Sequence, residues 1–244
     1  MLWEFDMTSP DQFTICNEIL SSLPIEDFGV LRPYLQSIDL PLKKTLIVPD
    51  EPIRHVYFPD HGVASMLALL EGGGSVEVGM IGREGMVGIH VFLGVDTVTQ
   101  ECVVQIPGAG WRMEVAAFRK AAVQCRSLSA ALHRYTMAFL LQVSQTAACN
   151  ASHQIDERLA RWLLMTHDRA DGDHLPLTHE YLSTMLAVRR SGVTIAASAL
   201  QKAGIIQYAS GHITVLNREA LEMSSCECYR TVKDQSDFIL GKFS

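Results

Sequence analysis

The spacing of apolar residues changes several times along the chain, and each change predicts a different kind of structure. Between residues 16 and 35, apolar side chains recur at helical intervals that Pro24 and Pro33 interrupt, which predicts two short helices. From residue 36 to 113, short runs rich in β-branched residues alternate with turn signals. This pattern is typical of a small antiparallel sandwich or barrel. One of the predicted strands is MVGIHVFLG at residues 86–94.

Residues 114–151 have helical spacing throughout, with a short helix predicted over 115–123 and a long helix that ends near Asn150. The long helix carries a stripe of residues three and four apart, over about 22 residues, which is long enough to pair with a second copy of itself. The alternative is that the stripe packs on the chain's own sandwich. We favour pairing, because the helix is longer than a small sandwich requires. The stripe consists of Leu128, Leu132, Tyr135, Phe139, Gln142, Thr146 and Cys149.

The C-terminal third predicts a helix-turn-helix followed by a hairpin. An amphipathic helix over residues 156–169 ends at ADGDHLP, and Thr178 can then cap a helix whose apolar face is Leu182, Met185 and Leu186. A second helix places apolar residues at i, i+3, i+4 and i+7 against that face. The segments IIQYA and HITVL, joined across Ser210 and Gly211, form a predicted wing, and Asn217 can cap a last helix.

The outward surface of the second helix has the chemistry of a DNA-reading face. It combines short hydrogen-bonding groups, an isoleucine that can contact a thymine methyl group, and cations near its first turn. Ser210 and His212 of the wing are positioned to meet phosphates. The predicted DNA-binding residues are Thr178, Arg189, Arg190, Ser191, Thr194, Ile195, Ser198, Lys202, Ser210 and His212.

The formal net charge of −7 is unfavourable for binding nucleic acid. The distribution of charge along the chain nevertheless leaves one segment basic. Residues 1–152 hold ten Lys and Arg against sixteen Asp and Glu, whereas residues 175–219 hold four cations against Glu180 and Glu219. A phosphate backbone responds to the local field within a Debye length, so this basic element can bind DNA on an acidic protein.

Taken together, these segments resemble the Crp/Fnr family of bacterial transcription regulators. The matching residues are GREGMVG in the strand-rich region, QTAACN at the end of the long helix, DERLARWLLMTHDR, LPLTHEYLSTMLAVRRSGVT and SCECY. The resemblance implies an α+β fold: an antiparallel, jelly-roll-like β-roll over residues 1–113, connecting and dimerisation helices over 114–152, and a winged helix-turn-helix over 153–244. It also implies a homodimer on palindromic double-stranded DNA, with RNA polymerase as a further partner.

The same resemblance implies specific base contacts. Arg190 stands where the family has its base-reading arginine, and Ser191 and Ile195 take the other main base-facing positions. The family's frequent glutamate and second arginine are absent at these two positions, so its known operator sequences do not transfer to this chain.

The β-roll departs from the cyclic-nucleotide binders of the family. Those members hold the ribose with a glutamate shortly after a glycine and the phosphate with an arginine followed by a small residue. Here Gly88 precedes Ile89 and His90, and Gln100 and Glu101 stand at the arginine's place. Arg83 is the nearest cation. We therefore expect no response to cyclic AMP and no cofactor; the effector, if there is one, is unknown.

The iron–sulphur members of the family need a cluster of N-terminal cysteines, of which only Cys16 is present. The six cysteines are interpreted mainly as small buried side chains, because a pair such as Cys226 and Cys228 lies on divergent helix faces and cannot complete a metal site alone. Single histidines such as His153, His167 and His174 are likewise more typical of surface or capping positions than of metal sites.

Two other function classes compete with a DNA-binding regulator. An enzyme lacks support, because neither G-x-S-x-G nor G-x-x-x-x-G-K-[ST] occurs, and His179-Glu180 lacks the second histidine of a zincin helix. The glycines at 79, 82, 85 and 88 are interpreted as turns and bulges. The other class is a sensor module whose winged helix binds protein instead of DNA. No apolar run long enough to span a membrane and no signal-peptide pattern occur, which predicts a cytoplasmic protein.

Overall fold

The computed structural model describes residues 11–242. It begins with two short helices, α1 (Glu18–Ser21) and α2 (Ile25–Leu31), as the interrupted helical spacing predicts. Asn17 caps α1, and its buried side-chain amide donates hydrogen bonds to the carbonyl oxygens of Pro59 and Gly85. These bonds hold the N-terminal helices on the strands that follow.

The strands of the β-roll are β1 (Gln36–Leu40), β2 (Thr45–Ile47), β3 (His55–Pro59), β4 (Val63–Leu69), β5 (Ser75–Ile81), β6 (Glu101–Ile106) and β7 (Gly108–Glu114). They form two antiparallel sheets with the orders β1-β7-β3 and β2-β6-β4-β5. The buried side chains of both sheets meet in one hydrophobic core. The predicted antiparallel sandwich is therefore confirmed.

The strand predicted at residues 86–94 is wrong. Only Val87 pairs as a strand residue, with Tyr57, and the chain then forms the short helix α3 (Ile89–Phe92). Gly88 lies between them with φ of 92°, a left-handed conformation that side chains disfavour, so the extended run ends there. A short apolar run does not distinguish a buried strand from a buried helix, which is why the spacing misled.

Two helices follow the roll, α4 (Val115–Gln124) and α5 (Arg126–Ser152). The stripe predicted to join two copies faces inward, and its largest side chains are buried in the single chain. Residues 128–142 of the stripe face the chain's own roll, whereas Thr146 and Cys149 contact the C-terminal region of the same chain. The prediction that this stripe forms the dimer seam is therefore wrong. The stripe residues with this inward position are Leu128, Leu132, Tyr135, Phe139, Gln142, Thr146 and Cys149.

Polar contacts between α5 and the backbone of β5 fix this inward face. The Gln142 side chain accepts a hydrogen bond from Met80 N–H (2.6 Å) and donates to the Met80 carbonyl oxygen (3.2 Å). Gly79 lies under the Phe139 ring, where a Cβ would come within 2.7 Å of the ring. Gly85 likewise lies under the Tyr135 ring. Close approach of α5 thus accounts for two of the four regularly spaced glycines, Gly79 and Gly85.

The C-terminal region contains α6 (Ile155–His167), β8 (His174–Leu175), α7 (His179–Met185), α8 (Arg190–Lys202), β9 (Ile206–Ala209), β10 (His212–Val215), α9 (Arg218–Met223) and α10 (Cys228–Leu240). The wing has three strands in the order β8-β10-β9, one more than the predicted hairpin. Ser210 and Gly211 both have positive φ, 50° and 81°, as the two-residue hairpin turn requires. Helix α10, which the sequence analysis did not predict, packs back on α5.

The outer face of the four-stranded sheet packs against the C-terminal region. Four side chains of the roll, Val63, Leu67, Met80 and Ile106, belong to the hydrophobic core of that region. Glu77 is buried at this junction and accepts hydrogen bonds from Trp162 Nε1 (2.9 Å) and the Ser65 hydroxyl (2.6 Å). Burial raises the pKa of Glu77 to about 7, although both hydrogen bonds lower it.

An ion pair adds to the same junction. Arg169 Nε lies 2.7 Å from the Glu84 carboxylate, both side chains are largely buried, and Gly82 lies beneath the arginine. The roll and the C-terminal region are therefore joined by apolar, hydrogen-bonded and ionic contacts. None of the described helices has both the length and the apolar character that crossing a membrane requires.

Candidate nucleic-acid interface and effector region

Helices α7 and α8 pack through the apolar faces that the sequence predicts. Leu182, Met185 and Leu186 are buried against α8. The facing side chains of α8 are also buried, namely Val193, Ala196, Ala197 and Leu200. The Thr178 hydroxyl caps α7 by accepting a hydrogen bond from Tyr181 N–H at 3.1 Å. This pairing fixes which face of α8 points outward.

Every side chain predicted for the outward face of α8 is exposed. Ile195 is the extreme case, with 73% of its surface exposed although it is a large apolar residue. Helix α8 contains no Asp or Glu. The exposed face consists of Arg190, Ser191, Thr194, Ile195, Ser198 and Lys202.

The two arginines stand at the start of α8. Arg189 is its N-cap residue and makes no side-chain capping bond, so the first N–H groups of the helix have no side-chain acceptor. Arg190 Nη1 lies 3.7 Å from the Glu180 carboxylate, but both side chains are mostly exposed. Such a pair contributes little to stability, so Arg190 is available to another anionic or polar partner.

Two aromatic residues that the sequence analysis did not select brace this surface. The His179 ring stacks on Tyr208 of the wing with 4.0 Å between ring centroids, and His179 Nδ1 lies 3.1 Å from the Thr194 hydroxyl. Burial, with a smaller contribution from the charge of Arg190, lowers the pKa of His179. His179 therefore ties α7, α8 and the wing together. The aromatic pair has no local sequence signal, since its members are far apart in the chain.

The wing residues predicted to meet phosphate are at the tip of the hairpin. Ser210 and His212 are both exposed, and His212 Nδ1 lies 3.0 Å from the Ser210 carbonyl oxygen. Thr178 is exposed at the start of α7, and a Cβ at Gly211 would contact its methyl group at 3.4 Å. The structure thus brings Thr178 next to the wing tip.

Comparison with known proteins identifies this arrangement. Residues 157–224 match the family model of the Crp-like helix-turn-helix domain, which contains α6 to α9. The chain therefore contains a Crp-like helix-turn-helix domain. Among curated proteins, a search of this sequence found no match.

Solved structures show the same fold over most of the chain. FixK2 from Bradyrhizobium japonicum is 18% identical with a TM-score of 0.67, and the match covers 79% of this chain and 98% of FixK2. A CRP-family transcriptional regulator from Thermus thermophilus is 19% identical with a TM-score of 0.63, covering 77% of this chain and 96% of that one. The regulator CLP from Xanthomonas campestris, described as responsive to c-di-GMP, is 16% identical with a TM-score of 0.61, covering 79% and 99%.

The residues predicted for an effector pocket do not form one cationic site. Arg83 Nη2 lies 3.1 Å from Asp171, in the segment after α6, so it belongs to the junction between the roll and the DNA-binding region. Ile89 is buried in the core of the roll. Burial lowers the pKa of His90, whose Nδ1 has no hydrogen-bond partner among the described residues.

The second half of the predicted effector region lies at the start of β6. Gln100 and Glu101 are half-buried there, and the Thr45 hydroxyl donates a hydrogen bond of 3.4 Å to the Glu101 carboxylate. Gly88, at the start of α3, lies against the Val56 side chain. These residues lie in the roll, as the sequence predicts. Arg83, the nearest cation to the predicted phosphate position, is already paired with Asp171.

The fold also brings Cys149 next to Cys226 and Cys228, which are far from it in the sequence. Cys226 lies in the loop before α10 and Cys228 is the first residue of α10, so the two do not occupy divergent faces of one helix. Cys226 Sγ lies 3.5 Å from Cys149 Sγ at the end of α5. The hydrogen bond between these sulfurs lowers the pKa of Cys149 and, together with burial, raises the pKa of Cys226.

Proposed function

We propose that the protein is a homodimeric transcription regulator that binds a palindromic site in double-stranded DNA and reads base edges in the major groove with α8. The observation that carries this proposal is the outward face of α8, which is fully exposed, free of carboxylates and headed by Arg190. A solvent-exposed helix of an acidic protein ordinarily carries Asp or Glu. A DNA-binding helix favours a face without carboxylates, because the DNA phosphates repel negative charge.

Some residues of this face are assigned to contacts with base edges, and others to contacts with phosphates that position the protein on DNA. Arg190, Ser191 and Ile195 stand at the start and middle of the exposed face and are assigned to base edges. Arg189, together with the uncapped N–H groups of the first turn of α8, is assigned to phosphate. Ser210 and His212 at the wing tip are assigned to the flanking backbone.

The proposed dimer uses the outward face of α5. Along this face, residues recur at spacings of three and four, as in a two-stranded coiled coil, and all except His133 and Ser144 are apolar. Met137 and Leu140 at its centre are 51% and 55% exposed in the single chain. No charged residue occurs between Arg134 and Asp156. The residues of this outward face are Ala130, His133, Met137, Leu140, Ser144, Ala147 and Ala151.

We further propose that the roll does not bind cyclic AMP in the manner of the family's nucleotide binders. A buried cyclic phosphate costs several kcal/mol unless a cation or backbone N–H groups meet it. Gln100 and Glu101 offer no cation, and Arg83 is paired with Asp171. The Ile89 side chain has no atom that can accept a hydrogen bond from the ribose. An effector, if the regulator has one, is therefore expected to be neutral or apolar. RNA polymerase as a partner stays a prediction of the resemblance.

Selection of binding sites from random DNA tests the reading face. The wild type should enrich a two-fold symmetric site, whereas Arg190→Ala should lose preference at one base pair in each half-site, worth about 1–3 kcal/mol. The matched control is Arg189→Ala, which should weaken binding to all sequences alike and reduce its salt dependence. An unchanged preferred site in Arg190→Ala would show that another surface reads the bases.

Calorimetric titration with cyclic AMP and cyclic GMP tests the roll. We expect no saturable binding. Saturable binding of one nucleotide per subunit at micromolar concentration, abolished by Glu101→Ala but not by Ser198→Ala on α8, would contradict the proposal for the roll and leave the DNA-binding proposal untouched.

A further inference from the structure

Four side chains of the metal-ligand type converge where α5 ends and α10 begins. Cys149 lies in the last turns of α5, His153 is the C-cap of that helix, and Cys226 and Cys228 flank the start of α10. Cys149 Sγ lies 3.5 Å from Cys226 Sγ, and Cys228 Sγ lies 3.5 Å from His153 Nδ1. All four candidate ligand atoms lie within 4.8 Å of one another.

We propose that these four side chains bind one zinc ion. In a tetrahedral site with Zn–S bonds of about 2.3 Å and Zn–N bonds of about 2.0 Å, ligand atoms lie roughly 3.5–3.8 Å apart. The two closest separations in the cluster already have this value. Three sulfurs and one imidazole nitrogen around a common centre form a closed structural zinc site, in which no position is left for water.

The composition and size of the cluster exclude magnesium, calcium and iron–sulfur centres. Magnesium and calcium prefer oxygen ligands, which none of the four residues supplies. An iron–sulfur cluster places several iron and sulfide atoms between its cysteines. Ligand atoms that all lie within 4.8 Å of one another leave space for a single ion.

The cluster also differs from ordinary buried cysteines. Cys149, Cys226 and Cys228 pack on one another as a separate buried group, outside both hydrophobic cores. Cys102 and Cys125, by contrast, are part of the core of the roll. Side chains that acted only as small apolar groups would be expected to join a core in the same way.

Neighbouring residues orient the proposed ligands. The Glu227 carboxylate lies 3.2 Å from His153 Nε2, which leaves Nδ1 of the same ring directed at the sulfurs. A carboxylate on the far nitrogen is the usual partner of a zinc-bound histidine. Gln145 Nε2 donates to Cys228 Sγ at 3.1 Å and would stabilise a thiolate there.

Nearby cations match the charge that such a site would have. Three thiolates and a neutral imidazole around Zn²⁺ leave one net negative charge. Arg158 and Arg161 of α6 are buried close enough to interact electrostatically with Cys149. The Nε atom of each has no hydrogen-bond partner among the described residues. The zinc would clamp α10 onto α5 beside the start of the DNA-binding region.

Cobalt titration of the reduced, full-length protein after removal of bound metal tests the site. Co²⁺ should bind at one ion per chain, with the intense visible bands of a tetrahedral ion and a thiolate charge-transfer band, and zinc should displace it. Cys149→Ser and Cys228→Ser should lose these bands. The matched controls are Cys16→Ser, which removes an exposed cysteine, and Cys125→Ala, which removes a buried one outside the cluster; both should bind cobalt like the wild type.

A second variant guards against misfolding of the serine variants. Cys228→His keeps a zinc ligand and should still bind one cobalt ion, with a weaker thiolate band because one sulfur is replaced by nitrogen.

Zinc should raise the Tm of the wild type and of both controls. Failure of the reduced, folded wild type to bind cobalt would overturn the proposal, as would binding that survives in Cys149→Ser and Cys228→Ser. A purified protein with a Cys149–Cys226 disulfide that still binds no cobalt after reduction would overturn it in the same way. None of these outcomes depends on DNA binding.

Discussion

The two faces of α5 have similar spacing but opposite roles. The inward face places Leu128, Leu132 and Tyr135 in the core of the roll and fixes Gln142 on the backbone of β5. The outward face carries smaller side chains around Met137 and Leu140, which the single chain leaves exposed. An apolar stripe therefore identifies a buried face without saying what buries it, and the strongest stripe belongs to the chain's own core.

The largest effect is expected from the inward face. Leu132 is fully buried, so Leu132→Ala should lower the free energy of unfolding by about 2–5 kcal/mol through lost burial and the cavity that remains. Urea unfolding at a fixed protein concentration measures this. The matched control is Leu140→Ala on the outward face, and equal losses of subunit stability in the two variants would contradict the assignment of faces.

Glu77, at the polar junction on the outer face of the four-stranded sheet, should make the free energy of unfolding depend on pH by a similar amount. The pKa of Glu77 rises from 4.5 to about 7 on folding, so the folded state keeps a proton that the unfolded state has lost. Its contribution to stability therefore falls as pH rises from about 4.5 to 7 and stays low above that range, by about 3 kcal/mol in total.

Glu77→Gln lacks this titration and should gain stability relative to the wild type over the same pH range. Urea unfolding at several pH values gives the comparison. A difference between the two proteins that does not change with pH would show that Glu77 titrates alike in the folded and unfolded states.

A smaller loss is expected where α5 bonds to β5. Gln142→Leu leaves the Met80 N–H without its partner, and an unsatisfied buried donor costs about 1–3 kcal/mol. Ser144→Leu, which changes a neighbouring exposed position to the same residue, should have little effect on the subunit. A Gln142→Leu protein as stable as the wild type would mean that this contact does not hold α5 on the roll.

The smallest effect on the subunit is expected at the centre of the outward face. Met137 is half exposed in the single chain, so Met137→Ala should change the unfolding free energy of a monomeric form by less than about 0.5 kcal/mol. The same change should weaken dimerisation, which sedimentation at several protein concentrations detects. Unaltered dimerisation would place Met137 outside the interface.

Local patterns predicted much of this fold. The spacing of apolar residues located α6, α7 and α8, and the short runs rich in β-branched residues located β2 to β6 of the roll but not β1 or β7. Those features depend on residues within one or two turns of each other. The N-caps at Thr178 and Asn217 and the turn at Ser210 and Gly211 are similarly local.

Features that depend on distant contacts were missed or misassigned. The direction of the α5 stripe depends on Gly79 and Gly85 allowing the helix to approach the roll, which helical spacing cannot show. The cysteine and histidine cluster joins residues 75 and 77 positions apart. The His179–Tyr208 stack and the Glu77–Trp162 bond have the same long-range origin.

The central claim is that two copies of the regulator meet through the outward face of α5 and so present two α8 helices to DNA. Phe139 and Leu140 are adjacent in sequence but lie on opposite faces, which makes Phe139→Glu and Leu140→Glu a matched pair. The most direct test is the light-scattering mass of Leu140→Glu, with circular dichroism as the check on folding. The account predicts a folded protein at the single-chain mass of 27.0 kDa, against twice that mass for the wild type, whereas Phe139→Glu should lose stability. A folded Leu140→Glu protein that keeps the dimer mass would contradict it.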